Sequence, residues 1–450
     1  MIATTDKAPH HADLIVVGGG LAGLSVAALV AREGRSVVVL ERASHLGGRA
    51  ATHVRQGVHF NVGPHALYCR GHAFRLFKSL RVPFAGRFPE AGGGLLFEGD
   101  NHYTIPSGLG SLLGSRLFTL REKWRLARIL SSLQRIDTRR LDRIPLREWI
   151  DRTAGAGGLA AFLRTLFRVG TFAADHDRLS AGAAIDQLRL ALDGNVWYLD
   201  GGWQTMVDGL RDRAMEAGAS IRTGVRAESV RGEGGGVSVQ LAGGEVLRGR
   251  AAVLAIAPNE VIDLLELPEA DPLVRWESGR SRIRAACLDV ALDRLPNPET
   301  RLAFGLDRPL YYSVHSASAK LAPEGVAVLH VMKYLGGDSA EPAEGVEGEL
   351  EALLDRLQPG WRACVVERRF LPAMTVSNAL PRADKGGLAA RPAVTVCERP
   401  DVFLAGDWVG ARGLLADASA ASAEEAAGLV LATLEREEVR PDRSLSHVEC

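Results

Sequence analysis

The chain opens with a short apolar run at residues 13–17 (DLIVV), followed by three glycines at 18–20. A stretch of small and apolar residues at 21–32 comes next, then a second apolar run, SVVVL, at 36–40. Short runs rich in β-branched residues read as buried strands, and the longer stretch between them as a helix that stops at Glu33-Gly34. The pattern therefore predicts strand, turn, helix, strand. By length alone, the uncharged run of 18 residues at 14–31 could span a membrane. Its glycines and its change of period argue against that. From about 71 to 199 the texture changes to periodic helices, as at 120–133 and 159–167. At 201 it reverts: a helix at 204–217, then several short strands over 221–258 separated by glycine turns (RGEGGG, LAGGE). Runs at 284–292 and 325–333 read as strands of another sheet, with a helix at 346–357. The tail has the first texture again, a buried strand at 402–405 and an alanine-rich helix at 417–435. There are no internal repeats. One texture in three separated pieces predicts two interleaved domains.

Composition narrows the function classes. The 450 residues are 46% hydrophobic and 24% charged, enough for large buried cores. Lys+Arg (54) and Asp+Glu (54) cancel, so a nucleic-acid partner is not expected. The five cysteines form no C-x-x-C pair, which predicts free thiols in a reducing compartment and no zinc framework. The polar N-terminal segment lacks the build of a secretory leader, and the expectation is a cytoplasmic, soluble protein. Residues 110–170 hold thirteen Lys/Arg against five Asp/Glu. Solvated helix faces account for such an excess. The alternative is a patch for anionic substrates or for peripheral contact with membrane head groups.

Gly18-Gly19-Gly20-Leu21-Ala22-Gly23 fits G-x-G-x-x-G between a strand and a helix. The first glycine suits a tight turn, the second a close approach of backbone to pyrophosphate, and the third close helix–strand packing. The helix N-terminus, at Leu21 and Ala22, offers free N–H groups to phosphate. Glu41 ends the second strand, where an acid grips ribose hydroxyls. Dinucleotide binding follows. Two look-alikes do not qualify. Gly155–Ala160 follows a helical stretch and reads as a helix–helix corner, and 232–236 reads as a hairpin turn. One nucleotide site is expected, without a separate nicotinamide domain.

Beyond Glu41 the chain continues through Arg42 to Gly47-Gly48-Arg49-Ala50-Ala51-Thr52. The glycine fingerprint, V-x-V-L-E and G-G-R-x-x-T together resemble the signature of the amine oxidase / phytoene desaturase superfamily of flavoproteins. The resemblance implies FAD. Gly48 would let the chain pass close to it, and Arg49 would neutralise its diphosphate. Phe403-Leu404-Ala405-Gly406-Asp407 resembles the superfamily's C-terminal flavin-sealing segment, with Asp407 accepting from the ribityl chain. Leu415 and Ala416 would present backbone N–H groups to the flavin pyrimidine, where the helix dipole favours negative charge. Val225 matches the residue whose backbone holds adenine, and Gly63-Pro64-His65 the loop lining the isoalloxazine. The implied fold is α/β, a Rossmann-like FAD domain of the glutathione-reductase or amine-oxidase type interleaved with an α+β substrate domain. Its FAD domain would comprise 1–80, 200–283 and 385–450, and its substrate domain 81–199 and 284–384. No cysteine lies in 406–427, so the FAD is expected to be non-covalent.

Amine oxidases of this superfamily frame the substrate nitrogen with two aromatics and place a lysine near flavin N5. Here one aromatic position falls on about Leu415, and the strand Arg284-Ala285-Ala286-Cys287-Leu288 has no lysine. Both departures suit hydride removal from a hydrophobic, isoprenoid-like or polycyclic substrate, with oxygen or a quinone as acceptor. An amine oxidase or a protoporphyrinogen-oxidase-like enzyme is the alternative, and a non-enzymatic binder of prenylated proteins a more distant one. Pocket candidates are Trp203, Gln204, Tyr312, His315, Trp408 and Leu415, and His65 is the candidate catalytic residue. Each also has an ordinary packing reading. Zinc-protease and serine-hydrolase motifs are absent, and no metal is expected.

Overall fold

The structure, a computed structural model, describes residues 11–89, 94–106, 108–233, 235–336 and 345–439. Strand His11–Val17 lies parallel to Val37–Glu41 on one side and to Val246–Leu254 on the other. Ser220–Thr223 extends the first edge, and Arg399–Leu404 lies parallel to the end of Val246–Leu254. A meander of Ala227–Gly232 and Val237–Leu241 continues the sheet from the other half of Val246–Leu254. The sheet's strands thus come from three stretches of chain, and its core strands are continuous apolar runs because both faces are covered.

The uncharged run at 14–31 divides between this central strand and helix Leu21–Ala31. Every helix residue after Leu21 is buried. A helix that is apolar all round must be enclosed on all sides. Here the enclosure is the sheet, helix Gln204–Glu216 and the long helix Leu415–Val439. Its alanines and glycine let these neighbours approach closely. No helix among the described residues is long and apolar enough to cross a membrane.

The second sheet has seven strands, in the order Val365–Ser377, Ile283–Leu292, Ala327–Leu335, Leu310–Val314, Leu302–Gly305, Gly94–Glu98, Asn101–Thr104. All neighbours are antiparallel except Leu302–Gly305 and Gly94–Glu98. Alternation along Ile283–Leu292 gives the sheet two characters. Ala286, Leu288, Val290 and Leu292 pack with Leu350, Leu354 and Trp361 around helix Val346–Leu357. Ala285 and Cys287 share the opposite face with Tyr311, Met332 and Tyr334. Helices Leu120–Ser132, Leu146–Ala154, Gly158–Thr171 and Ala181–Gly194 build a separate core beside this sheet.

The hydrophobic pattern anticipates most of these elements but not the hairpin at 94–104, which falls in the stretch read as helical. It also misses Val365–Ser377. That strand is only half-buried and contains Pro372, and it forms a sheet edge, where proline is tolerated because an outward N–H is not needed.

Candidate active site

A cavity of about 880 Å³ runs between the two sheets, at the upper end of the range for small-molecule and cofactor sites. Its walls come from the glycine turn, the 47–50 and 62–68 segments, Val225, the 255–264 segment, strand Val365–Ser377 and the 406–419 segment. The turn glycines divide by role. A Cβ on Gly18 would sit 2.6 Å from the Ala255 carbonyl oxygen, and one on Gly23 would sit 1.9 Å from the Gly18 oxygen. Those two positions serve internal packing, and Gly23 does not reach the cavity wall. A Cβ on Gly20 would meet nothing in the protein closer than 3.8 Å, yet Gly20 lines the cavity. Its missing side chain is space kept for a ligand. The first turn of helix Leu21–Ala31 holds no acidic residue, so its N–H groups remain available to an anion.

Glu41 locks this turn to the end of the second strand. One carboxylate oxygen accepts the Gly19 N–H and the other the Ala43 N–H, both at 2.8 Å. Arg42 also lines the cavity and pairs with Glu260. Val225 lies against the same wall. Its N–H is committed to the Glu41 carbonyl at 2.9 Å, so only its carbonyl can serve a ligand there.

At the centre, Arg49 meets Asp407 in a two-pronged ion pair, both N···O distances 2.7 Å. Asn378 adds its backbone N–H and its side-chain amide to the same carboxylate. Burial alone would raise the Asp407 carboxyl, but the Arg49 guanidinium and the Asn378 N–H hold it well below the usual range. The sequence assigned these residues separately, to diphosphate and to ribityl. In the fold they are one unit, and each has already engaged much of its hydrogen-bonding capacity. Gly48, with φ +53 and open space where a Cβ would be, lets the chain turn past this point.

Leu415 lines the cavity and begins helix Leu415–Val439 with φ 55, a left-handed conformation uncommon for a branched side chain. Ala416 and Asp417 follow on the same wall. Asp417, which the motif reading missed, is buried. One of its oxygens accepts the Ala73 N–H, and the other has no partner among the described residues. Burial pushes its carboxyl up to about 6. Arg391 lies behind the cavity wall rather than on it. It donates to the Gly413 carbonyl, keeps two buried nitrogens without partners, and burial lowers its guanidinium to about 10. Neither residue belongs to a local motif, since their surroundings are assembled from distant segments.

His65 and Pro64 line the cavity, and His65 packs on Trp203 with ring centroids 5.1 Å apart. Gly63 does not line it, and its absent Cβ makes room for Met374. His65 Nδ1 lies 2.9 Å from the Gly63 carbonyl, an acceptor only, which places the proton on Nδ1. Burial lowers this imidazole to about 4, so it is neutral near pH 7 and its Nε2 is an acceptor. Such a group orients a ligand better than it removes protons.

Several expected pocket residues lie elsewhere. Tyr312 faces the helix-covered side of the second sheet, donating to the Thr300 carbonyl and accepting from Gln358. Its neighbour Tyr311 points to the opposite face, because consecutive strand residues alternate, but it packs with Cys287, Met332 and Tyr334 and does not line the cavity either. His315 is buried between Tyr198 and His330, outside the cavity wall, with burial and two neighbouring histidines keeping it neutral. Gln204 spends its amide on Asp208 and the Thr52 N–H. Trp408 reaches the wall, but its indole donates to the Ile256 carbonyl and stacks on Trp276. Gly406 likewise borders the cavity, its φ of 154 permitting the turn into Asp407. Residues found only in the structure complete the apolar end: Tyr68, Phe172, Met374 and Val376. Among the described residues, no lysine or cysteine belongs to the wall.

A sheet with a parallel centre, an anion-ready glycine turn, an acid on the second strand and a long cavity against a second sheet define a dinucleotide-binding protein. The unfilled space at Gly20 and the unpartnered Trp203 Nε1 and Asp417 oxygen fit a large polar cofactor along this wall. The chain belongs to the flavin-containing amine oxidoreductase family, whose profile matches residues 21–431. Over 61 residues it is 42% identical to an all-trans-retinol 13,14-reductase of Danio rerio, covering 14% of this chain and 10% of that one. Over 253 residues it is 27% identical to a 4,4'-diaponeurosporene oxygenase of Staphylococcus aureus, covering 48% of this chain and 50% of that one. The chain therefore spans half or less of the length of the curated relatives it matches. Its fold is shared with putrescine oxidase bound to putrescine, at TM-score 0.72 and 15% identity over 94% of this chain and 99% of that one.

Proposed function

We propose that this oxidoreductase takes a hydride from a hydrophobic, isoprenoid-like or polycyclic molecule and passes the electrons to oxygen or a quinone. FAD supplies the hydride-accepting atom. The chain's own residues hold that cofactor and shape the space beside it. The observation that carries the reading is the apolar end of the wall: Leu415, Phe172, Met374 and Val376, with no lysine among the described residues. Such a wall binds by excluding water from apolar surface, and its binding energy serves to position a C–H bond for transfer. Neutral His65 can accept one hydrogen bond from a polar end of the substrate. The names of two relatives carry retinol and diaponeurosporene, apolar molecules of the class this wall suits.

Amine oxidation is the second reading, and the unpartnered oxygen of Asp417 favours it, since a carboxylate on the same wall could meet an ammonium group. Anaerobic stopped-flow mixing with a panel of polyenes, polycyclic compounds, porphyrinogens and amines separates the two. We expect the flavin to bleach with an apolar compound and only very slowly with simple primary amines. Rapid bleaching by a benzylamine-like compound or a polyamine overturns the proposal in favour of the second reading.

A further inference from the structure

Helix Leu120–Ser132 has two apolar faces. Leu126 and Ile129, with Leu133 just beyond the helix, are buried in the core of the helical region. At 3.6 residues per turn, Leu120, Trp124 and Ala127 share the outward face. There Leu120 is 82% exposed and Trp124 64% exposed. Leu113, at 67%, ends the preceding helix, and Lys123 Nζ ties the two helices together by donating to the Leu113 carbonyl in a 2.5 Å hydrogen bond. Among the described residues these are the three most exposed large apolar side chains. Isolated exposed leucines need no explanation, but a leucine and a tryptophan on one helix face, with a third exposed apolar residue in the helix tied to it, do.

Cations flank this apolar strip. Arg121 and Arg128 lie along one side and Lys123 along the other, with Arg128 over the Trp124 ring at 5.8 Å and exposed Arg116 in the preceding loop. The described carboxylates of this helix and of its neighbour are already engaged. Glu122 is occupied by the Thr119 N–H, the Thr119 hydroxyl and the Leu159 N–H. On the neighbouring helix Leu146–Ala154, Glu148 and Asp151 are paired with Arg152 and Arg164. An apolar strip with a tryptophan and a basic border matches the boundary of an anionic bilayer, where indole and leucine enter the head-group region and arginines meet phosphates.

We infer that the Leu113–Leu120–Trp124 surface docks the protein onto anionic lipid bilayers as a peripheral, salt-sensitive contact. The inference rests on the surface alone and stands whichever substrate the cavity accepts.

The test is co-sedimentation of FAD-loaded full-length protein with vesicles of phosphatidylglycerol and phosphatidylcholine, against vesicles of phosphatidylcholine alone. We expect binding to the anionic vesicles that falls at least tenfold in Leu120→Ser/Trp124→Ser and as steeply in Arg121→Gln/Arg128→Gln, with flavin content unchanged in both. Raising the salt should release the wild type. Absence of anionic-vesicle binding, or binding that both double variants retain, overturns the inference. A concentration-dependent dimer in light scattering, abolished by Leu120→Ser/Trp124→Ser in protein that ignores vesicles, also overturns it and makes a second copy the occupant.

Discussion

Arg49 and Asp407 stand 358 residues apart in sequence and share a two-pronged contact in which Asp407 is buried and Arg49 partly exposed. Removing one side of such a pair leaves a charge in a poor solvent, which costs more than the pair contributes. Arg49→Ala should lower stability by on the order of 2 kcal/mol, less than for a fully buried pair because solvent reaches Arg49, and lose FAD. Adding Asp407→Asn should restore part of the stability, as urea unfolding of the ligand-free variants will report, and strictly additive losses would contradict the coupling. Asp417 gives a pH signature of its own. The folded protein holds this proton up to about pH 6 whereas a free aspartate releases it near 3.8, so stability from this group is lost as pH rises between those values. The wild-type minus Asp417→Asn difference in unfolding free energy should therefore fall from pH 4 to pH 7, by up to on the order of 3 kcal/mol. His65, whose pKa is lowered, acts with the opposite sign and cancels in that difference.

At the scale of elements, the glycine turn separates packing from binding. Gly23→Ala drives a methyl into the Gly18 carbonyl and should yield little folded protein, whereas Gly20→Ala has room in the protein and should fold but bind FAD weakly. Equal folding yields and equal FAD affinities for the two would refute that division. Leu415→Tyr, at the strained start of the last helix, should narrow the apolar end and slow flavin reduction by a hydrophobic substrate, measured by stopped flow. The strand–turn–helix–strand opening and its acid were legible because their rules are local: periodicity, a glycine turn, a residue at a strand end. Two adjacent tyrosines give no phase for the alternation, so the sequence does not show that Tyr312 faces the helix-covered side of the sheet. Arg391 and Asp417 were invisible because their burial depends on segments far away in sequence. The strand Val365–Ser377 hid because an edge strand carries half a pattern and tolerates proline.

The whole molecule joins its two sheets around one cavity, so a bound cofactor touches most of the chain's separated stretches. Ligand that binds only the folded state adds stability by mass action, about 2.7 kcal/mol at a hundredfold excess over Kd. Added FAD should therefore raise the melting temperature with concentration, and denaturation should release it intact. Flavin that remains with the acid-precipitated chain would refute the non-covalent expectation. The order of the central sheet has a consequence during synthesis. Strand His11–Val17 leaves the ribosome early but finds its inner partner only at Val246–Leu254, whose own far side waits for Arg399–Leu404. A nascent chain thus carries a bare strand edge until Val246–Leu254 emerges, and Asp407 meets Arg49 only after the sheet's last strand. A ligand held between the Arg49 and Asp407 segments therefore favours the closed sheet, and added FAD should slow limited proteolysis of the folded protein.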